Sequence, residues 1–145
     1  MVSPLGVFST SLDHTPQSLS LLSDANPTTQ FCGVTQADSQ AWIQYDAPSP
    51  VLLQGYSLFS GYNSTADPSG WELMGSVDGQ SWTSLHEVSE ASFVARGQSL
   101  KFDLDIDQPY QHFRLLLHGQ ANQTSFYLSE WQLMGHSVSS VDITA

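Results

Sequence analysis

Trp71-Glu72-Leu73-Met74-Gly75-Ser76-Val77-Asp78-Gly79-Gln80-Ser81-Trp82 is the stretch on which the fold turns. Successive side chains of an extended chain point to opposite faces, so Trp71, Leu73, Gly75 and Val77 share one side. Asp78-Gly79 then supplies residues that tolerate the backbone of a tight reversal, and a second extended segment begins at Ser81-Trp82. A strand, a turn and a returning strand make antiparallel sheet. The same period of two recurs in Ser99-Leu100-Lys101-Phe102-Asp103-Leu104-Asp105-Ile106, apolar at even numbers. It recurs again in Phe113, Leu115 and Leu117, set against Arg114, Leu116 and His118. Further strands are expected over Trp42 to Asp46, Val51 to Phe59 and Phe126 to Met134, with no long helix between them. Short strands broken by Gly, Pro, Asn and Asp predict an all-β antiparallel sandwich.

The 145 residues are expected to form one domain, 1–145, with its core at about 19–135. The first dozen residues and the Ser- and Val-rich tail after His136 read as linkers or edge strands. A hydrophobic content of 40% with four Trp, five Tyr and seven Phe excludes wholesale disorder. The net charge of −11 argues against nucleic acid and anionic membrane as partners. No apolar run approaches the ~20 residues of a membrane helix, and Met1-Val2-Ser3-Pro4 does not open a signal peptide. Cys32 is the only cysteine, and its neighbour Phe31 suggests an inert core thiol. Asn63-Ser64-Thr65 and Asn122-Gln123-Thr124 match the glycosylation sequon, a triplet common by chance. His14, His86, His112, His118 and His136 fall at no zinc-pair spacing.

Two segments stand out chemically. Leu22-Ser23-Asp24-Ala25-Asn26-Pro27-Thr28-Thr29-Gln30-Phe31 gathers carboxylate, amide and hydroxyl oxygens in one loop. Leu128-Ser129-Glu130-Trp131-Gln132-Leu133 sets an acid inside an apolar strand, where a charge needs a counterpart. Only Arg96, Lys101 and Arg114 are cationic, so calcium, which accepts irregular oxygen shells, is a fitting counterpart. The competing reading makes Asp24 and Asn26 an Asx turn before Pro27, with Glu130 bonded to backbone amides.

With Ala41-Trp42-Ile43-Gln44-Tyr45-Asp46, the Trp71–Trp82 stretch and His112-Phe113-Arg114-Leu115, these segments resemble a coagulation-factor type C (discoidin-like) domain. The nearer relatives in that resemblance are the family-32 carbohydrate-binding modules attached to many glycoside hydrolases. The resemblance runs from about Leu19 to Gly135. It implies a jelly-roll sandwich, one structural calcium, glycan binding by loops at one end and an extracellular or secreted location. It also implies a module that works beside other domains of a larger protein. Carried over by motif, the metal ligands are Asp24, Asn26, Thr29 and Glu130, with carbonyls of Leu21 and Ser129. The family's usual glycine after the aspartate is Ala25 here, a strained choice if the position needs positive φ.

Sugar recognition needs an aromatic face for the C–H patch of a pyranose and planar polar groups for its hydroxyls. Tyr62 and Asn63 offer both at adjacent positions, Gln36 and Asp38 lie in the loop after Phe31, and Gln120 and Asn122 precede the last strand. Each has a plainer role: Tyr62 capping the core, Asn63 in a turn, Asp38 solvated. Phe93 and Arg96, and Trp42, Trp71 and Trp82, read as structural first. No nucleophile elbow, phosphate loop or metalloprotease helix is present, so catalysis is the least supported class. A glycan-binding module leads, and protein or cell-surface adhesion by the same loops is the alternative.

Overall fold

The computed structural model describes residues 6–13, 18–23, 29–35, 40–120 and 123–138. Its strands are β1 (Val7–Thr10), β2 (Phe31–Val34), β3 (Ala41–Ser60), β4 (Gly70–Ser76), β5 (Thr83–Val88), β6 (Ser99–Asp103), β7 (Tyr110–His118) and β8 (Ser125–Ser137). Short 3₁₀ turns occupy Ser18–Ser23 and Ser64–Ala66. Every pairing between these strands is antiparallel. The fold is an all-β sandwich, as the alternation predicts.

β3 makes the two layers possible. Its first part pairs with β1 and β7, Ile43 lying opposite Thr10 and Leu115; its second part pairs with β6 and β8, Leu58 lying opposite Leu100 and Trp131. One layer therefore runs β1-β3-β7-β4-β5 and the other β2-β8-β3-β6. Alternation predicts two strands here, from Trp42 and from Val51; the structure joins them into one strand of 20 residues. Pro48 and Pro50, which cannot donate a ladder hydrogen bond, fall where the β3–β7 register slips between Asp46 and Val51. The prolines mark a corner and not an end, and Val138 N–H, donated to Pro50 O at 2.7 Å, pins the end of the last strand there.

Between the layers lies one continuous core. Ile43, Tyr45, Tyr56, Leu58, Trp71, Leu73, Phe113, Leu115, Leu128 and Trp131 all belong to it. Aromatic contacts cross it: Phe8 on Trp131 at 6.3 Å, Trp71 on Phe102 at 6.0 Å. The hairpin signal is realised, with Gly79 at φ +78°. Asp78 Oδ1 accepts from Gln80 N–H (2.8 Å) and Ser81 N–H (3.0 Å); those backbone bonds, Ser81's first, hold its carboxyl below the ordinary range.

Two expectations are corrected. Val77 does not continue the buried face of β4: the strand ends at Ser76, and Val77 is 59% exposed at the turn. Cys32 is half-buried, not a core thiol. Phe31 and Gly33 take the inward positions of β2, and a period of two turns Cys32 outward. Partial burial still pushes its thiol pKa up, so it remains a poor nucleophile.

Candidate functional site

β7 ends and β8 begins at one end of the sandwich, and several connections are tied together there. Thr35 N–H donates to Thr124 O (2.8 Å), Ser69 N–H to His118 O (2.8 Å), and Ala91 N–H to Ser69 O (2.7 Å). Gln123 Nε2 reaches Asp67 O at 3.0 Å and Ser125 O at 2.9 Å, while its Oε1 accepts from Gln120 N–H. The loops after β2, β3, β5 and β7 thus share one rim.

Arg96 organises that rim. Its guanidinium donates from Nη1 to Gly61 O (2.9 Å) and Asp67 Oδ1 (2.9 Å), and from Nη2 to Asp67 Oδ2 (2.8 Å). The fork matches a carboxylate in two places at once, which a single ammonium cannot do. The bond to Asp67 holds the guanidinium pKa above its ordinary value. Ser60, fully buried, braces the same stem: its N–H bonds Gln98 O, its hydroxyl donates to Ala95 O, and its carbonyl accepts from Ser129 Oγ. Gln98 Oε1 in turn accepts from Val94 and Ala95 N–H.

Tyr62 stands on this braced stem. Its N–H donates to Gln30 Oε1 at 2.8 Å, and the residue is 43% exposed. Gly61 is obligatory beneath it, since a Cβ there would lie 2.7 Å from Gln30 Oε1 and 2.9 Å from Tyr127 Cβ. Asn63 is exposed and caps the Ser64–Ala66 turn, its Oδ1 accepting from Thr65 N–H (3.1 Å) and Thr65 Oγ1 (2.7 Å). Gln120 is exposed on the same rim. Gln36, Asp38 and Asn122 lie outside the described residues. Val94, on the braced turn, is the most exposed large apolar residue among the described residues, at 85%. Nothing in the sequence distinguished Gln123 and Asp67, which join the loops, because their role is set by partners far along the chain.

The acid in the apolar strand is buried as expected: Glu130 is 1% exposed and Ser129 fully buried. A bulge decides which side of the strand it takes. Phe59 pairs Glu130 but Ser60 pairs Leu128, so β8 carries one extra residue here. Phe126 and Leu128 face the core before the bulge, Trp131 and Leu133 after it, and Glu130 falls on the side opposite Trp131. The Ser18–Ser23 turn, with Leu21 half-buried and Leu22 fully buried, packs against β8. Phe31 lies opposite Leu128; two positions back on one chain and two on along the other are Thr29 and Glu130. Asp24 and Asn26 lie outside the described residues, among which no three His, Cys, Asp or Glu side chains cluster.

The outer face of the five-stranded layer carries the other indoles. Arg114 lies 4.2 Å from the Trp42 ring centroid and 4.5 Å from that of Trp82. It donates from Nε and Nη2 to Gln44 Oε1; Gln44 Nε2 donates to Asp46 Oδ1, which also bonds His112 Nδ1 at 2.6 Å. Trp42 and Trp82 thus lie outside the core, to which Trp71 and Trp131 belong.

A family model, the F5/8 type C domain, matches residues 8–131. The chain belongs to the F5/8 type C family. Solved structures agree on the fold of this F5/8 type C domain. The module CpGH89CBM32-5 of Clostridium perfringens, in complex with GalNAc-β-1,3-galactose, superposes with a TM-score of 0.72 at 12% identity, covering 89% of this chain and 94% of that one. CBM32-1 from a family 31 glycoside hydrolase of Clostridium perfringens gives 0.73 at 14%, covering 91% and 95%. Chitosan-binding module 1 of a Paenibacillus sp. IK-5 chitosanase/glucanase gives 0.69 at 14%, covering 90% and 95%. At such identities the likeness carries the fold alone. No curated protein matches this chain.

Proposed function

We propose that this F5/8 type C domain is a non-catalytic carbohydrate-binding module that holds a neutral glycan at its loop end. The observation that carries the reading is Tyr62: an aromatic residue 43% exposed, on a stem fixed by Gln30, Arg96 and Ser60. An aromatic residue whose backbone is fixed in this way stacks on a pyranose with less ordering cost than one on a free loop. Asn63 retains its amide N–H groups for hydroxyls, and Gln120 with Gln36, Asp38 and Asn122 supplies further planar donors and acceptors. Structural relatives solved with or named for sugars support the same class. An extracellular setting, beside other domains, suits such a module.

A structural calcium belongs to the proposal. A carboxylate 1% exposed, a hydroxyl residue two positions before β2 and the packed Ser18–Ser23 turn are a fitting oxygen-donor set. Asp24, Asn26, Thr29 and Glu130, with the carbonyls of Leu21 and Ser129, would hold the ion, and its chemistry there is charge neutralisation and cross-linking. Val94 and Tyr62 together favour one second reading, adhesion to a protein surface through an apolar knob.

A glycan array probed with calcium and with chelator tests the proposal. Binding to neutral glycans that mass spectrometry finds intact after long incubation is expected. An array without binders, or reproducible cleavage of a bound glycan, contradicts it.

A further inference from the structure

Beneath the loop end runs a polar chain that the glycan reading does not use. Trp71 Nε1–H donates to Tyr56 Oη at 2.8 Å, and Tyr56 Oη lies 2.7 Å from His86 Nδ1. The direction of this chain is forced. Indole N–H only donates, so Tyr56 accepts there, and the fully buried Tyr56 hydroxyl finds its acceptor in an unprotonated His86 Nδ1. A bulge puts the imidazole in place: Leu73 pairs His86 while Met74 pairs Ser84, so Leu85 is the extra residue of β5 and His86 meets Tyr56 and Phe102, at 5.6 and 4.8 Å between ring centroids. Phe93, from the loop that carries Arg96, stacks on Trp71 at 6.1 Å.

We propose that His86, Tyr56 and Trp71 form an acid-sensitive latch, which keeps the Phe93–Arg96 loop seated at neutral pH and loosens it when His86 Nδ1 takes up a proton. The consequence for ligand, weaker glycan binding in acid, rests on the reading of the loop end as the glycan site. Protonation turns Nδ1 from acceptor to donor. Two donors then meet at Tyr56 Oη, and the phenolic proton has no acceptor in an aromatic surround of Trp71, Phe102 and His86. Either the indole or the imidazole must shift, and Phe93 rests on the indole.

Burial lowers the His86 pKa from its ordinary value, so the latch is closed at neutral pH; burial likewise pushes Tyr56 up to about 12, so its proton stays. Among the described residues, Tyr56 of β3 is the titratable group facing the imidazole. From β4 Leu73 lies opposite it in the ladder, and from β6 Phe102 packs on it. Lys101 and Asp103 of β6 and Glu87 of β5 are exposed on the opposite faces, and Glu72 of β4 pairs Glu87 there.

Nuclear magnetic resonance of the full chain tests this, following the His86 ring and the exchange protection of the Val94 and Ala95 amides from about pH 7.5 to about pH 5. Protection in the native chain is expected to fall about tenfold as His86 titrates, the scale of one orphaned buried hydroxyl. His86→Gln, whose amide oxygen accepts but does not titrate, is expected to hold its protection throughout. Tyr56→Phe, which lets His86 titrate without the hydroxyl, should lose the pH response and serves if the first variant misfolds. Unchanged protection while His86 titrates, or an equal fall in His86→Gln, overturns the latch. A fall in protection in a chain that binds no glycan at either pH supports the latch and overturns the glycan reading, so the two fail separately.

Discussion

Arg96 and Glu90 sit in the same loop and put it under opposite influences. Arg96 fixes Gly61 and Asp67 with a planar fork, and a lysine would keep the charge and lose the fork. Arg96→Lys is expected to change unfolding free energy by no more than about 1 kcal/mol, because the pair is partly exposed. It should weaken glycan binding several-fold by loosening the stem under Tyr62, read by calorimetry beside a denaturant titration. Glu90 has φ +56°, a conformation that costs a side-chain-bearing residue about 1–2 kcal/mol. Glu90→Gly should therefore raise the unfolding free energy by up to about 1 kcal/mol, and with it the urea midpoint; an unchanged or lower midpoint would refute that strain. Of the two roles open for Asn63 the turn is legible from sequence because it is local, and the structural reading of Phe93 agrees with its burial in the core. Reading single residues from sequence missed Asp67, Gln123 and Ser60, whose partners lie across the fold, and it over-buried Cys32 by reasoning from a neighbour instead of from alternation.

Among the elements, β8 departs most from ideal pattern and is the most informative. Its hydrophobic phase changes at Ser129–Glu130, where the bulge turns an acid to the side opposite Trp131. If calcium is the counterion, melting scans in millimolar calcium and in chelator differ by several degrees; a hundredfold excess over Kd is worth about 2.7 kcal/mol. Glu130→Gln should abolish the difference, and coincident curves for the native chain after exhaustive chelation would rule the structural ion out. Because Ser129 Oγ bonds Ser60 O, removing calcium should also weaken glycan binding at the adjoining stem. Strands with strict alternation, β6 and β7, were readable from sequence because one face is wet. The passage of β3 between layers was not, because Pro48 and Pro50 look like strand terminators until a partner for each half is known.

At the scale of the whole molecule, charge decides what approaches. A net charge of −11 repels polyanions, and Arg96 and Arg114, two of the three Lys and Arg residues, are already bonded to Asp67 and to Gln44. Glycan affinity should accordingly vary little with salt, and salt-weakened binding to sulfated glycans would contradict this. Folding stability carries its own pH signature. The His86 pKa is lowered in the fold, so its contribution is complete above the ordinary histidine pKa of ~6.5 and is lost as pH falls through the folded value. Urea titrations at stepped pH should show the acid-side loss in the native chain and a smaller one in His86→Gln. The fold class was legible throughout because it depends on periodicity over the whole chain; the rim was not, because it is assembled from loops that follow four different strands.

Calorimetric titration of the native chain and of Tyr62→Ala with one neutral glycan drawn from the array tests the central claim most directly. A shallow site of this kind should give Kd between about 10 μM and about 1 mM. Loss of the stacking face should raise Kd roughly fivefold to tenfold, about 1–1.5 kcal/mol, with the melting temperature unchanged. Equal affinity in the two proteins would place the glycan away from Tyr62 and contradict the account.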